Sequence, residues 1–409
     1  MTDKHAHIRQ IEFGDIRPLL PVVTSWDKKT TRPVDVFISS LGFEDRSVAI
    51  PTALASEMAN SPYHRKALGI ICCYTTNIQD NERKRELLKT ALATFCSQQI
   101  DINADSPQEV EKLIGDQILS TAKEQGTVEV VFDISTSSGN LILSVLHALI
   151  KYRDSISLRI LYSEPAHYFP RQEDYDTNPE NLVLRACDAG DIESYQEYGV
   201  GDVDTNELYP GIDGENRPEF IIAVPSLRTS RLVRCLSHLS DQPLSSPDKY
   251  IYWILSEPPS KMLKWRQRLQ REVVKNTLSS LVGFAPSDPQ APQLSAENSV
   301  ICSTLDYRDI LQEVIQEADR RIGNNISIVH MGSKLQAIGI ALALSTRSEI
   351  SVCYAKPVEY NPARYTEGIG SMWQLDVPNL SELVNNIHTV GTLTFTAKIE
   401  TDRTGLPPI

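Results

Sequence analysis

Several features that would place the chain in a common functional class are missing. No run of about 18 or more apolar residues occurs, so no membrane-spanning helix is predicted. No apolar stretch follows the N-terminus in the way that a secretory signal peptide requires. We therefore expect a cytoplasmic protein that does not insert into a membrane.

Motifs for common cofactors, metals and nucleophiles are missing too. The chain has neither the Walker A pattern GxxxxGK[ST] nor the dinucleotide pattern GxGxxG, which argues against P-loop and nicotinamide enzymes. Its seven cysteines form no CxxC pair and lie at no zinc-binding spacing from a histidine, so we expect reduced, buried thiols. GxSxG and HExxH do not occur. We predict no metal and no cofactor, and we assign no catalytic residue.

Positive charge is scarce. The 40 lysines and arginines are outnumbered by 53 aspartates and glutamates, which gives a net charge of -13 at pH 7. A surface that binds duplex DNA is therefore not expected, although a local basic pocket for a small anion remains compatible. Apolar residues at 41% and charged residues at 23% are typical of globular proteins, and 409 residues accommodate two or three domains.

The chain contains an internal duplication. In each copy a short apolar run, a turn of small residues and an apolar helix follow one another, at 130–150 and again at 327–344. A shared motif, [Glu/Lys]-Pro-x-x-Tyr-x-Pro, begins at Glu164 in the first copy and at Lys356 in the second. Each copy alternates strands with helices, and its apolar runs lack alternation, as in strands buried on both faces. This predicts an α/β fold of two tandem duplicated Rossmann-like parallel-sheet lobes, related by a pseudo-twofold axis.

The duplication sets the predicted boundaries. We expect an N-terminal segment, two lobes joined by a linker, and a C-terminal tail whose alternating pattern from residue 392 predicts one edge strand. The linker is acidic and interrupted by glycine and proline. In chain order these units cover 1–29, 30–205, 206–216, 217–376 and 377–409.

The loops after the strands are the predicted ligand site, because ligands of open parallel sheets bind beyond the carboxyl ends of the strands. Small residues, hydroxyls and basic side chains in these loops suit an anion, and motif tyrosines suit stacking on a base. Ordinary helix capping by the same residues is the alternative. The predicted ligand-binding residues are Ser39, Gly42, Glu44, Arg46, Ser135, Thr136, Ser137, Ser138, Gly139, Asn140, Tyr168, Arg228, Arg231, His330, Gly332, Ser333, Lys334, Gln336 and Tyr360.

One of these turns resembles a family motif. His-Met-Gly-Ser-Lys-Leu-Gln at 330–336 is similar to the [Ser/Thr]-Gly-Gly-Thr-Lys-x-Met turn of CARF domains. CARF domains, and the related SAVED domains with two fused CARF-like units, sense cyclic oligonucleotides in prokaryotic antiviral systems. The resemblance implies that Ser333 and Lys334 contact the ligand and that 136–140 is the counterpart, with Asn140 in place of the lysine. It also implies that an effector protein, or assembly into a homo-oligomer, transmits the signal.

A second resemblance keeps an enzymatic alternative open. Segment 34–46, with Asp-Val-Phe-Ile-Ser before a Glu-Asp loop, is similar to the first box of TIR domains. That resemblance implies cleavage of NAD by a glutamate on a later helix, a role for which Glu109 or Glu111 is available. Hydrolysis of the nucleotide itself, with loop residues such as Asp133 and His330 as acid and base, is a further alternative.

Overall fold

The structure is a computed structural model that describes residues 6–27, 32–59, 66–187, 197–239, 245–391 and 393–397. Its strands are β1 (Ala6–Gln10), β2 (Thr24–Ser25), β3 (Val36–Leu41), β4 (Ala67–Cys73), β5 (Cys96–Asn103), β6 (Val128–Asp133), β7 (Ile156–Ser163), β8 (His167–Tyr168), β9 (Glu197–Tyr198), β10 (Val203–Pro210), β11 (Glu219–Val224), β12 (Ile251–Glu257), β13 (Ser299–Ser303), β14 (Asn325–His330), β15 (Ile350–Ala355), β16 (Glu359–Tyr360), β17 (Thr366–Glu367), β18 (Met372–Val377) and β19 (Leu393–Ala397).

The helices alternate with the longer strands. They are α1 (Phe13–Ile16), α2 (Ala49–Met58), α3 (Ile78–Leu92), α4 (Pro107–Gln125), α5 (Gly139–Lys151), α6 (Gln172–Thr177), α7 (Pro179–Leu184), α8 (Ser230–Leu239), α9 (Pro247–Tyr250), α10 (Lys264–Leu281), α11 (Tyr307–Arg320), α12 (Lys334–Leu344) and α13 (Leu380–His388). Among the helices described, none combines the length and the hydropathy needed to cross a bilayer.

The two lobes have the same strand order. The parallel strands of the first sheet run β7-β6-β3-β4-β5 and those of the second run β15-β14-β11-β12-β13, so each lobe orders its five strands 5-4-1-2-3. Strands β3 and β7 are buried along their whole length, as expected where helices cover both faces of a parallel sheet. The predicted α/β fold with two duplicated Rossmann-like lobes is confirmed.

Each sheet includes one antiparallel strand from the segment that follows the other lobe in sequence. Strand β10 follows the first lobe in sequence and pairs with β15 of the second, whereas β18 follows the second lobe and pairs with β7 of the first. The predicted linker at 206–216 is therefore wrong in part, because residues up to Pro210 belong to a sheet strand. The predicted lobe boundary at 376 is likewise wrong in part, because Met372–Val377 extends the sheet of lobe 1.

Two short antiparallel strand pairs across the seam repeat the same exchange. Strand β8 pairs with β17, and β16 pairs with β9, so each partner comes from the other half of the chain. Two equivalent backbone bonds accompany them: Gly201 N donates to Lys356 O at 2.8 Å, and Gly370 N donates to Glu164 O at 2.7 Å. These matched pairs agree with a pseudo-twofold relation between the lobes.

The described part of the N-terminal segment packs on the two lobes. Arg17, in the N-terminal segment, donates to Asp306 at 3.0 Å and to Asp309 at 2.6 Å, which ties that segment to the second lobe. Strand β2 adds to the first sheet beside β18. The predicted edge strand in the tail corresponds to β19, which pairs with β1 in a separate two-stranded ribbon.

The core is centred on the two helices that follow the small-residue turns. Helix α5 packs against α12, and both are apolar on nearly all sides. An all-apolar helix is stable in water only when protein covers every face, and here each helix lies between its own sheet and the other lobe. The contact between α5 and α12 therefore joins the two lobes through their hydrophobic cores.

We predict that Gly339→Ala, in α12, destabilises the fold by about 1–3 kcal/mol through overpacking. A Cβ at this position would lie 2.3 Å from Tyr307 O, a backbone atom of the neighbouring helix. The matched control is Gly14→Ala, since a Cβ at Gly14 meets nothing within 4 Å. Denaturant unfolding measures both variants, and equal stability of the two would contradict the close packing described for α12.

Candidate functional site

The predicted turns begin helices α5 and α12, and their caps define which residues are equivalent. Ser138 Oγ accepts from Leu141 N at 3.1 Å, and Ser333 Oγ accepts from Gln336 N at 3.2 Å. The first helical residue after each cap is then Gly139 in lobe 1 and Lys334 in lobe 2. The prediction that Asn140 occupies the place of the lysine is therefore wrong by one residue.

The two turns meet at the seam between the lobes. Lys334 Nζ donates to Ser137 O at 2.7 Å. A methyl group at Gly139 would lie 2.9 Å from His330 Cδ2, so the glycine makes room for the opposite turn. The carboxyl edges of the two sheets consequently face one another, and their loops enclose a common space.

That space consists of two cavities that share part of their lining. The first, of about 130 Å³, lies on the strand ends of lobe 1, and the second, of about 540 Å³, lies on those of lobe 2. Each is closed by the motif loop of the opposite lobe: Tyr360 lines the first and Tyr168 lines the second. The residues common to both linings are Arg231, Met331, Lys334 and Tyr365.

Most of the predicted ligand residues line these cavities. The first cavity contains eleven of them, namely Gly42, Glu44, Thr136, Ser137, Ser138, Gly139, Asn140, Arg231, His330, Lys334 and Tyr360. The second adds Arg46, Tyr168, Gly332 and Ser333. The structure therefore brings together residues from both copies that are far apart in sequence.

Four predicted residues have structural roles and line neither cavity. Ser39 lies buried inside β3, and Ser135 Oγ is buried between Asp133 Oδ1 and the donating Ser163 N. Arg228 is buried, with its Nε donating to Ser230 Oγ at 3.3 Å. Gln336 is fully buried, and its Oε1 accepts from Ser333 N at 2.8 Å to complete the capping box. Predicted as ligand-binding residues, these four lie outside both linings, because Ser135 and Gln336 bond within their own turns while Ser39 and Arg228 are buried elsewhere.

Two arginines occupy corresponding places in the lobes. Arg46 donates to Ser163 O at 3.3 Å and pairs with Glu44 at 2.7 Å. Arg231 donates to Ala355 O at 3.3 Å and pairs with Glu197 at 2.7 Å. Although burial lowers the pKa of each arginine, the paired glutamate raises it above the ordinary value. Both therefore stay charged, and each is fixed at the end of its lobe's last strand.

In the part of the chain that the structure describes, the cavity cations Lys334 and Arg266 form no ion pair with a carboxylate. Lys334 donates to a backbone carbonyl, and Arg266 donates to the carbonyls of Pro170 at 2.7 Å and Phe169 at 3.3 Å. Burial lowers the pKa of Lys334 to about 7, with a further contribution from the charge of Arg46. Burial also lowers the pKa of Arg266 to about 10. An anion in the cavity would relieve this cost, since uncompensated buried charge is unfavourable.

Aromatic side chains narrow the first cavity. The rings of Phe43, Tyr360 and Tyr365 form a cluster with centroids 5.2–6.2 Å apart. Tyr74 closes another side, where its hydroxyl accepts from Ser138 N at 2.7 Å. Of these aromatic residues, sequence reasoning found only Tyr360, and it also missed Arg266. Phe43 lies in the segment that resembles the first box of TIR domains, whereas Tyr74, Tyr365 and Arg266 belong to no motif and only the fold brings them to the seam.

Asn77 fastens the two lobes at the rim. Its side-chain Nδ2 donates to Tyr360 O at 2.9 Å, and its Oδ1 accepts from Tyr360 N at 2.8 Å. Its backbone is left-handed, with φ of 54°, a conformation that asparagine tolerates better than most residues. Asn77 thus bridges the loop after β4 to the motif loop that covers the first cavity.

The residues proposed for NAD cleavage lie elsewhere. Glu111 pairs with Lys151 at 2.6 Å on the surface of α4, and Glu109 is exposed on the same helix. Neither lines one of the cavities at the seam. Within the described residues, no cluster of three or more histidine, cysteine or acidic side chains is arranged to hold a metal ion.

Comparisons with known proteins give no family assignment. No protein-family model matches the sequence, and no curated protein sequence matches it. The cytoplasmic domain of a prokaryotic cation chloride cotransporter is 9% identical, with 81% of this chain and 99% of that chain covered and a TM-score of 0.22. UDP-GlcNAc 2-epimerase from Neisseria meningitidis, solved with UDP-GlcNAc, is also 9% identical, with 72% and 77% covered and a TM-score of 0.19.

We predict that Asn77→Ala lowers the free energy of unfolding by about 2–4 kcal/mol, because two hydrogen bonds between lobes are lost and alanine disfavours the left-handed backbone. Asn216→Ala is the matched control: Asn216 is also left-handed, with φ of 62°, but it forms no clamp, so only about 1 kcal/mol is expected. Denaturant unfolding compares the two variants. Equal losses of unfolding free energy would show that the two bonds between Asn77 and Tyr360 contribute nothing.

Proposed function

We propose that this protein is a cytoplasmic sensor that binds a nucleotide second messenger, a cyclic oligonucleotide, between its two lobes. The main support is the hydrogen bond from Lys334 Nζ to Ser137 O. It joins the turns of the two lobes where they border one enclosed space. The turn around Lys334 is also the segment that resembles CARF domains, and the two-lobed architecture parallels that of SAVED domains.

The charge of the seam supports an anionic ligand. The chain has a net charge of -13, yet four cationic side chains, those of Arg46, Arg231, Arg266 and Lys334, line the larger cavity. Two of the four lack a carboxylate partner among the described residues. Phosphate groups would supply the missing negative charge, and tyrosine rings at the cavity walls suit the bases.

The sensor would pass its signal on through the two motif loops that cover the cavities. The motif loop of each lobe covers the cavity of the other, so a ligand that spreads the loops changes the relative placement of both lobes. We propose that an effector protein, or a second copy of this chain, reads this change in a prokaryotic antiviral system. A ligand shifts such an equilibrium only by its differential affinity for the two arrangements.

The binding test uses calorimetry of the full chain with cyclic di-, tri- and tetranucleotides. We expect at least one of them to bind and Lys334→Ala to weaken that binding at least about tenfold, since a charged hydrogen bond is lost. The control is Lys112→Ala on the exposed face of α4, which should leave affinity unchanged. If no cyclic nucleotide binds, the proposed function is wrong.

Binding should also take up protons above pH 7. Lys334 has a pKa of about 7 in the free protein, and a bound polyanion raises that pKa. The affinity for the ligand is therefore highest below pH 7 and falls as the pH rises toward the pKa that Lys334 has in the complex. Calorimetry at pH 8 in buffers of different ionisation enthalpy measures the uptake. Lys334→Arg should abolish it, because arginine stays charged. Uptake that persists in this variant would point instead to Asp133, whose pKa burial raises to about 7.

A further inference from the structure

The two cavities differ in a way that the duplication alone does not explain. The larger one, at about 540 Å³, falls within the size range of ligand pockets, about 300–1,000 Å³, and the smaller one, at about 130 Å³, falls below it. Phe43 lines the smaller cavity and not the larger one, and its ring packs against Tyr365, which lines both. A ligand that enters the seam therefore has room for its largest group on the lobe 2 side.

The charge at the equivalent motif position is inverted between the cavities. Lys356 begins the motif in lobe 2 and lines the smaller cavity, where it pairs with Asp105 at 3.3 Å. Glu164 begins the motif in lobe 1 and lines the larger cavity. Glu164 lines the same cavity as Lys334 and Arg266, and its carboxylate would repel phosphate, so it needs a different partner on the ligand.

One oxygen of the Glu164 carboxylate accepts a hydrogen bond within the protein, and the other is open to a ligand. Its Oε2 accepts from Trp373 Nε1 at 2.8 Å, and its backbone N donates to Ser371 O at 2.8 Å while its backbone O accepts from Gly370 N. No described residue donates to Oε1. Since ionised carboxylates accept hydrogen bonds and cannot donate them, the ligand group facing Glu164 must be a donor.

From this geometry we propose that the larger cavity binds a guanine-bearing unit of the nucleotide, with Glu164 accepting from guanine N1–H and N2–H. Guanine is the common base with two adjacent donors on its Watson–Crick edge. Oε1 is open to one of them, and Oε2 has a second lone pair for the other beside its bond from Trp373. Lys334 and Arg266 then bind the phosphates of the same unit. This inference rests on the proposed function and adds the identity of the base.

The test compares matched rings of two to four nucleotides by calorimetry with the full chain. Cyclic oligonucleotides of guanine should bind at least about tenfold tighter than those of adenine. Those of hypoxanthine, which lacks the N2 amino group, should bind with an intermediate affinity. Glu164→Gln should narrow the preference for guanine over adenine to within about threefold. The Trp373 bond is retained, since an amide oxygen still accepts. Glu86→Gln, on the exposed face of α3, is the matched control and should keep the full preference.

The outcomes separate this inference from the proposed function. Tight binding of adenine rings without a guanine preference would overturn the guanine assignment and leave the nucleotide sensor standing. Equal loss of affinity for all bases in Glu164→Gln would mean that the carboxylate binds ribose hydroxyls, which also overturns the assignment. If no ring binds the unaltered chain, the proposed function and the inference fall together.

Discussion

The packing of α5 against α12 is the contact on which the site depends. Both helices are apolar on almost every side, so each is stable only while the other lobe covers it. Because the small-residue turns begin these helices, the same packing brings Ser137 within reach of Lys334. The hydrophobic core thus determines where the polar site lies, and the exchanged strands β10 and β18 keep the lobes in that arrangement.

The site differs from the core in its unbalanced charge. Arg46 and Arg231 are each neutralised by a buried glutamate and shape the loops, so they are structural as well as cationic. Among the described residues, Lys334 and Arg266 donate hydrogen bonds to backbone carbonyls and form no ion pair, and burial lowers the pKa of both. A protein tolerates such groups where a ligand compensates them, and perturbed titratable groups cluster at functional sites for this reason. In the proposed nucleotide sensor, the Glu164 carboxylate selects the group of the ligand that faces the larger cavity.

Sequence reasoning predicted the two lobes because strands buried on both faces read as continuous apolar runs. It failed at the strand exchange, since β10 and β18 each pair with a strand of the other lobe that is more than a hundred residues away in sequence. It misplaced Asn140 because the two turns differ in length, and only the caps show which residue follows. Arg266 and Tyr365 belong to no sequence motif, so their place at the seam is known only from the fold.

Hydrogen exchange with and without the best-binding cyclic nucleotide tests the central claim most directly, namely that one ligand contacts both lobes at their seam. The account predicts slowed exchange in both turns, at 136–140 in lobe 1 and at 331–336 in lobe 2, with the outer helix faces unchanged. Protection confined to one lobe, or centred away from both turns, would contradict it.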